Sequence, residues 1–263
     1  MSDAAICTER DGAVLHVINN NEAALNALTV EFYDAFQALM RDVRDDRSVR
    51  VVVLSGAGRF FCAGGDVNRL KQRLSEDLSG RRSGAAKLNG VIRAIRACPR
   101  PVIAAIEGGA AGAGVSLALA CDLIVAARDA YFAVSHVRIG VTPDGGATAF
   151  LARSLPRQLV TELCMTGARI EAERLHGAGL VNELCAPGRA REQALALAAR
   201  LAEGPAGALA VIKKLVEEGA RNSLEQHLER EADAMAEALG GAEAREGVAA
   251  FLEKRKADFA GAD

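Results

Sequence analysis

Apolar positions along this chain fall into short continuous runs and helical stripes, in that order. Ala13 to Ile18 (Ala-Val-Leu-His-Val-Ile) is a strand-like run, closed by the turn residues Asn19, Asn20 and Asn21. From Thr29, a suitable helix N-cap, the period changes. Phe32, Tyr33, Phe36, Leu39, Met40 and Val43 recur at spacings of three and four and predict a helix. Val51 to Leu54 and Pro101 to Ile106 are uninterrupted apolar runs, as expected of strands covered on both faces of a parallel sheet. Lys71 to Ala86 is polar, with Ser, Gly and several Arg, and reads as a mobile segment; a helix follows over Lys87–Cys98. Leu123–Ala127 and Tyr131–Val134 are strand-like. From Ala147 the pattern is helical almost throughout: Thr148–Ser154, Arg157–Met165, Glu171–Gly177, Gly188–Glu203, Pro205–Ala220 and Ser223–Leu239. The last of these carries one apolar stripe of Leu224, Leu228, Ala232, Met235 and Leu239, to be covered either by the chain's own core or by another subunit. The change from α/β core (residues 1–190) to helical tail (191–263) comes without a linker, and no internal repeat is visible.

Two strand ends carry glycine-rich loops. One is Ser55-Gly-Ala-Gly-Arg-Phe-Phe-Cys-Ala-Gly-Gly-Asp66; the other begins Glu107-Gly-Gly-Ala-Ala-Gly-Ala-Gly114 and runs into a helix of small residues ending near Asp122. Such turns bring backbone close to a ligand, and a helix start aims free N–H groups at it. In open α/β sheets ligands bind beyond the carboxyl ends of strands, which is where both loops fall.

Composition narrows the classes. With 263 residues, half of them hydrophobic, the chain supports one large α/β domain with a helical appendage. A net charge of −2 with interleaved signs argues against a general nucleic-acid or anionic-membrane binder. The scattered cysteines form no CxxC pair, so a metal cage or disulfide framework is not expected and a reducing cytoplasm suits them. No apolar run reaches membrane-spanning length.

Taken together, Phe61 to Asp66, Gly108 to Asp122, Asn26-Ala27-Leu28, Thr166 to Ile170 with Ala178 to Val181, and Arg245 to Lys256 resemble, in order and over nearly the whole chain, the enoyl-CoA hydratase/isomerase (crotonase) superfamily. The resemblance implies a spiral of ββα units, a C-terminal helical trimerisation region, homotrimers that pair into hexamers, and an acyl-CoA thioester substrate. It also implies no metal or redox cofactor. By motif position, the backbone N–H groups of Gly65 and Ala113 would form an oxyanion hole for the thioester oxygen. Around it the resemblance implies contacts from Ala63, Gly64, Asp66, Gly112 and Gly114, with Ala27 and Lys254 on the CoA side.

The acid and base, rather than the oxyanion hole, select the reaction. The family's hydratases hold water with two glutamates, and their positions here are Ser116 and His136. Both are candidate substrate contacts; Ser116 also fits a hydroxyl bonded within its own helix, and His136 a group that tunes a neighbour. Asp144, in Thr142-Pro-Asp-Gly-Gly146, reads locally as an N-cap for the helix through Ala149. In the family frame it resembles the base of the ring-1,2-epoxyphenylacetyl-CoA and Δ3,Δ2-enoyl-CoA isomerases, where an apolar pocket would suit one carboxylate to shuttling a proton. The 4-chlorobenzoyl-CoA dehalogenases also carry an aspartate there, as nucleophile, but with a nearby Trp that this Trp-free chain lacks. An acyl-CoA isomerase with Asp144 as shuttle is the expectation. A hydratase with an altered pair and a non-catalytic CoA- or RNA-binding member stand as alternatives.

Overall fold

The computed structural model of the chain describes residues 4–261. It opens with an antiparallel pair, β1 (Ile6–Asp11) and β2 (Val14–Asn19). The sequence pattern gives no sign of β1, because Ile-Cys-Thr-Glu-Arg-Asp is an edge strand whose outer residues are exposed and polar. Helix α1 (Val30–Asp45) follows, with Thr29 as N-cap as expected: its hydroxyl accepts from the Phe32 N–H at 3.2 Å. Its apolar stripe of Phe32, Tyr33, Phe36, Met40 and Val43 is buried.

β3 (Val51–Gly56) pairs in parallel with β2, and two helices follow, α2 (Val67–Arg73) and α3 (Leu78–Ala97). Most of the polar stretch Lys71–Ala86, expected to be mobile, is helical. Asp77 caps α3 by accepting from the Gly80 N–H at 2.8 Å. The first part of α3 lies on the surface, and its buried residues begin only at Leu88. A solvated helical half carries no apolar period, which is why the pattern concealed it.

The next elements are β4 (Val102–Ile106), β5 (Gly109–Ala111), α4 (Ala113–Ala120), β6 (Leu123–Ala127) and β7 (Tyr131–Ala133). After a loop come α5 (Ala147–Ser154), α6 (Arg157–Thr166), β8 (Ile170–Glu171), α7 (Ala172–Gly177) and β9 (Glu183–Cys185). The chain ends in α8 (Ala190–Ala202), α9 (Ala206–Gly219), α10 (Leu224–Leu239) and α11 (Ala242–Glu253).

The main sheet has the order β1-β2-β3-β4-β6-β9, and a small sheet has the order β5-β7-β8. From β3 onward, a strand in the main sheet is followed by a short extended piece beside the small sheet and then by helix. β3, the bridge of Cys62 to Ala110 and α2–α3 form one such unit; β4, β5 and α4 form the next; β6, β7 and the segment to α5 form the third. This is a spiral of ββα units. β3 and β4 run parallel and adjacent, with Leu54 paired to Ala104, so the two glycine-rich loops leave the sheet side by side.

α8 lays Ala190, Ala194 and Ala198 on the main sheet, so the core draws on residues beyond 190. Farther along, Lys213 on α9 and Arg96 on α3 both meet Asp122, at 2.8 and 3.2 Å. Asp122 also accepts from the Val102 N–H at 2.8 Å, which pins the helical tail to the edge of the core. The stripe on α10 is not covered by the chain's own core: Leu224, Leu228, Met235 and Leu239 are all exposed. Val248, Phe251 and Leu252 on α11 are exposed as well.

Candidate active site

Backbone hydrogen bonds stitch the two glycine-rich loops together. The Phe61 N–H donates to the Glu107 carbonyl at 2.9 Å, and the Ala111 N–H to the Cys62 carbonyl at 2.9 Å. Residues 25–28 close the other side. The Ala63 N–H donates to Leu25, the Leu28 N–H to Gly64 and the Asp66 N–H to Leu28, at 2.9, 2.7 and 3.3 Å. Asn26 locks this corner. It is fully buried, and its side-chain amide donates to the carbonyls of Ala57 and Phe60 at 2.8 and 2.6 Å while accepting from the Asn21 N–H at 3.1 Å. Its backbone is left-handed, φ +58, a conformation Asn tolerates better than most residues. Ala27 sits half-buried beside it, its carbonyl accepting from the Asn21 side chain at 2.9 Å.

This stitching decides where the N–H groups of Gly65 and Ala113 point. Leu28 and Gly65 form a parallel bridge in which the bonds run through Gly64 and Asp66, so the Gly65 N–H faces away from Leu28. Ala113 is the first residue of α4, where an N–H has no partner within the helix. Neither N–H makes a backbone hydrogen bond among the described residues. The loops meet closely, since a Cβ placed on Gly64 would lie 3.2 Å from the Ala113 nitrogen. Space opens at Gly65, where an added Cβ would meet nothing within 4 Å. Gly112 and Gly114 complete the junction, Gly112 facing Gly64 and Gly114 packed on Cys62. Burial pushes the Cys62 thiol up to about 12, so it is held as a neutral packing group rather than a nucleophile. The arrangement leaves two backbone donors without backbone partners where the two loops meet, one of them at the positive end of a helix dipole.

Asp144 does not cap α5. The N-cap is Gly146, which makes no side-chain cap bond, and the helix starts at Ala147. The Asp144 carboxylate instead pairs with His136, with Oδ1 3.2 Å from Nε2. The His136 side chain is 10 % exposed and the Asp144 side chain 43 %, so the aspartate is open to whatever enters, not sealed in an apolar pocket. His136 Nδ1 is buried without a hydrogen-bond partner among the described residues. The tautomer with the proton on Nε2 leaves least unsatisfied, and in it His136 donates to the carboxylate. That leaves Asp144 Oδ2 for other work.

Ser116, fully buried, neither lines open space nor bonds within its own helix: its hydroxyl donates to the Asp144 carbonyl at 2.8 Å. Asp66 serves as the N-cap of α2, accepting from the Asn68 N–H at 2.8 Å. Lys254 is the exposed, left-handed C-cap of α11, and no hydrogen bond or ion pair joins it to these loops among the described residues. Tyr33 is a neighbour that sequence reasoning missed. Its place in the apolar stripe of α1 marks it as core, and the phenol oxygen is the sole hint otherwise. Burial, then the charges of Cys62 and Asp144, push its ionisation well above the usual phenol range, so the hydroxyl is held neutral.

A spiral of ββα units with two glycine-rich loops at adjacent strand ends defines the crotonase fold. Residues 9–262 match the enoyl-CoA hydratase/isomerase family. The chain is 32 % identical to the 1,2-epoxyphenylacetyl-CoA isomerase of Escherichia coli (strain K12), covering 97 % of this chain and 98 % of that one. It is also 32 % identical to the 2,3-dehydroadipyl-CoA hydratase of the same organism, over 97 % of this chain and 98 % of the relative. Among solved structures, an enoyl-CoA hydratase from Polaromonas sp. JS666 superposes with a TM-score of 0.94 at 43 % identity, covering 96 % of this chain and 98 % of that one. This protein belongs to the enoyl-CoA hydratase/isomerase family and carries its crotonase fold, with a CoA thioester as substrate class. The names of its relatives include both isomerases and hydratases.

Proposed function

We propose that the protein is an acyl-CoA isomerase in which Asp144 shuttles the proton and the Gly65 and Ala113 N–H groups hold the thioester oxygen. One observation carries this reading. Asp144 is the partly exposed carboxylate beside the oxyanion loops, while the two positions at which the family's hydratases carry glutamates hold a buried serine and a histidine engaged with Asp144. A 3-enoyl thioester, or a ring epoxide carried as a CoA ester, suits one carboxylate. Asp144 takes the proton from C2, the electron pair delocalises onto the thioester oxygen, and the backbone donors stabilise that charge as it forms. The protonated carboxyl then returns the same proton to C4, leaving the 2-enoyl thioester. Proton number and charge balance without a co-reactant.

The test is Asp144→Asn, assayed by double-bond migration in a 3-enoyl-CoA. A loss of about 10²-fold or more is expected for removal of a general base, and migration at near wild-type rate would overturn the assignment. Hydration of crotonyl-CoA by the wild-type protein at a robust rate would favour a second reading, hydration through the His136–Asp144 pair, which the hydratase relatives support. The exposed apolar stripe of α10 supports a homotrimer or a hexamer of paired trimers as the working assembly. We place this enzyme in the cytoplasm with no cofactor beyond the CoA of its substrate.

A further inference from the structure

Helix α4 is built from Ala, Gly, Val and Leu except at one place. Ser116 is its only polar residue and is fully buried. A serine within a helix ordinarily returns its hydroxyl to the carbonyl four residues back. This one reaches the Asp144 carbonyl instead, at 2.8 Å. Apart from the His136 bond to the Asp144 carboxylate, the segment it holds has few side-chain anchors. Gly145 and Gly146 are both left-handed, φ +58 and +82, and have no side chains to anchor them. A Cβ on Gly145 would lie 2.8 Å from the Ser116 Cβ and 2.7 Å from Leu88 Cδ2, so the Gly145 backbone is seated directly on Ser116. The Asp144 carbonyl also accepts from the Ala147 N–H, but that bond is internal to the same segment and cannot place it relative to α4.

Ala113 and Ser116 stand three residues apart on one helix, about 4.5 Å along its axis. The same rigid element therefore presents an oxyanion donor at its first residue and grips the segment of the base one turn on. We propose that Ser116 is a positioning residue. By tying the Asp144 backbone to α4, it fixes the distance between the carboxylate and the oxyanion hole. This rests on the reading of Asp144 as the proton shuttle.

The experiment measures kcat and KM for a 3-enoyl-CoA with Ser116→Ala, Ser116→Cys and Asp144→Asn, each checked by thermal melting. Ser116→Ala should lower kcat by about tenfold to 10²-fold, as expected when a catalytic group loses its alignment. KM should stay within about twofold, because residues 25–28 and 63–66 are untouched. Ser116→Cys keeps a weak donor at the same place and should recover part of kcat. A kcat for Ser116→Ala within about twofold of wild type, in folded protein, would overturn the proposal even with Asp144→Asn inactive, and so would a rise in KM at constant kcat. If Asp144→Asn itself turns over at the wild-type rate, the shuttle reading fails first and the positioning role falls with it.

Discussion

Replacing Gly64 with alanine should disable enolate formation while leaving a folded protein. The Gly64 backbone has φ +103, a region that costs an L-residue about 1–3 kcal/mol. The added Cβ would lie 2.8 Å from the Ala111 carbonyl oxygen, 3.2 Å from the Ala113 nitrogen and 3.4 Å from the Gly112 Cα. All three are backbone atoms, so no rotamer change relieves the contact and one loop must retreat from the other. That movement separates the Gly65 and Ala113 donors. The effect of losing one oxyanion donor is about 10²–10³ in rate, or roughly 3–4 kcal/mol in barrier. The assay is exchange of the α-protons of a saturated acyl-CoA in D₂O, followed by NMR. It needs only a base and an oxyanion hole, so it reads the site whichever reaction the enzyme completes. Melting followed by circular dichroism separates folding from chemistry, with Gly65→Ala as control, since its Cβ would meet nothing within 4 Å and the melting temperature should not move. Exchange by Gly64→Ala at the wild-type rate would show that the junction of the two loops is not where the oxygen is held.

Stability should fall as pH drops below about 6.5. His16 is 2 % exposed and hydrogen-bonded to the Ser55 hydroxyl at 2.7 Å, and burial, then the charge of Arg191, lowers its pKa in the fold. The unfolded chain then takes up a proton the native state refuses, so this contribution is complete above the unfolded pKa and declines toward the lower, folded one, by at most about 1.4 kcal/mol per pH unit. Denaturant unfolding at neutral and mildly acidic pH should show the decline, and His16→Gln should flatten it; an equal slope in the variant would assign the decline to other groups. Leu228→Glu combined with Met235→Glu, at positions 53 % and 61 % exposed in the single chain, should convert the proposed trimer to monomer by light scattering. An unchanged mass would remove the α10 stripe from the interface.

How much of this was legible in the sequence differs by element for physical reasons. Buried strands such as Val51–Leu54 and the stripe of α1 announce themselves because a core imposes apolar periodicity. β1 and the outer half of α3 impose none, being solvated, and only backbone pairing reveals them. The close approach of the two loops was readable because glycine density marks places where backbone must approach backbone. The stitching of those loops was not, since it depends on Asn26, whose buried amide looks in sequence like one more polar residue in a turn.

Asp144 marks the sharpest limit. As a string, Asp-Gly-Gly before a helix fits a cap, and the difference between cap and free carboxylate lies in where the helix begins. With α5 starting at Ala147, the carboxylate is two residues too early to cap it and turns to His136 instead. Ser116 shows the same dependence from the other side. Its burial on α4 would be ordinary packing if the Asp144–Gly146 segment lay elsewhere, and it becomes a constraint on the site because two left-handed glycines let that segment come down onto it. The bond from Ser116 to the Asp144 carbonyl thus depends on backbone geometry at 144–146, which no pattern of side chains along the chain announces.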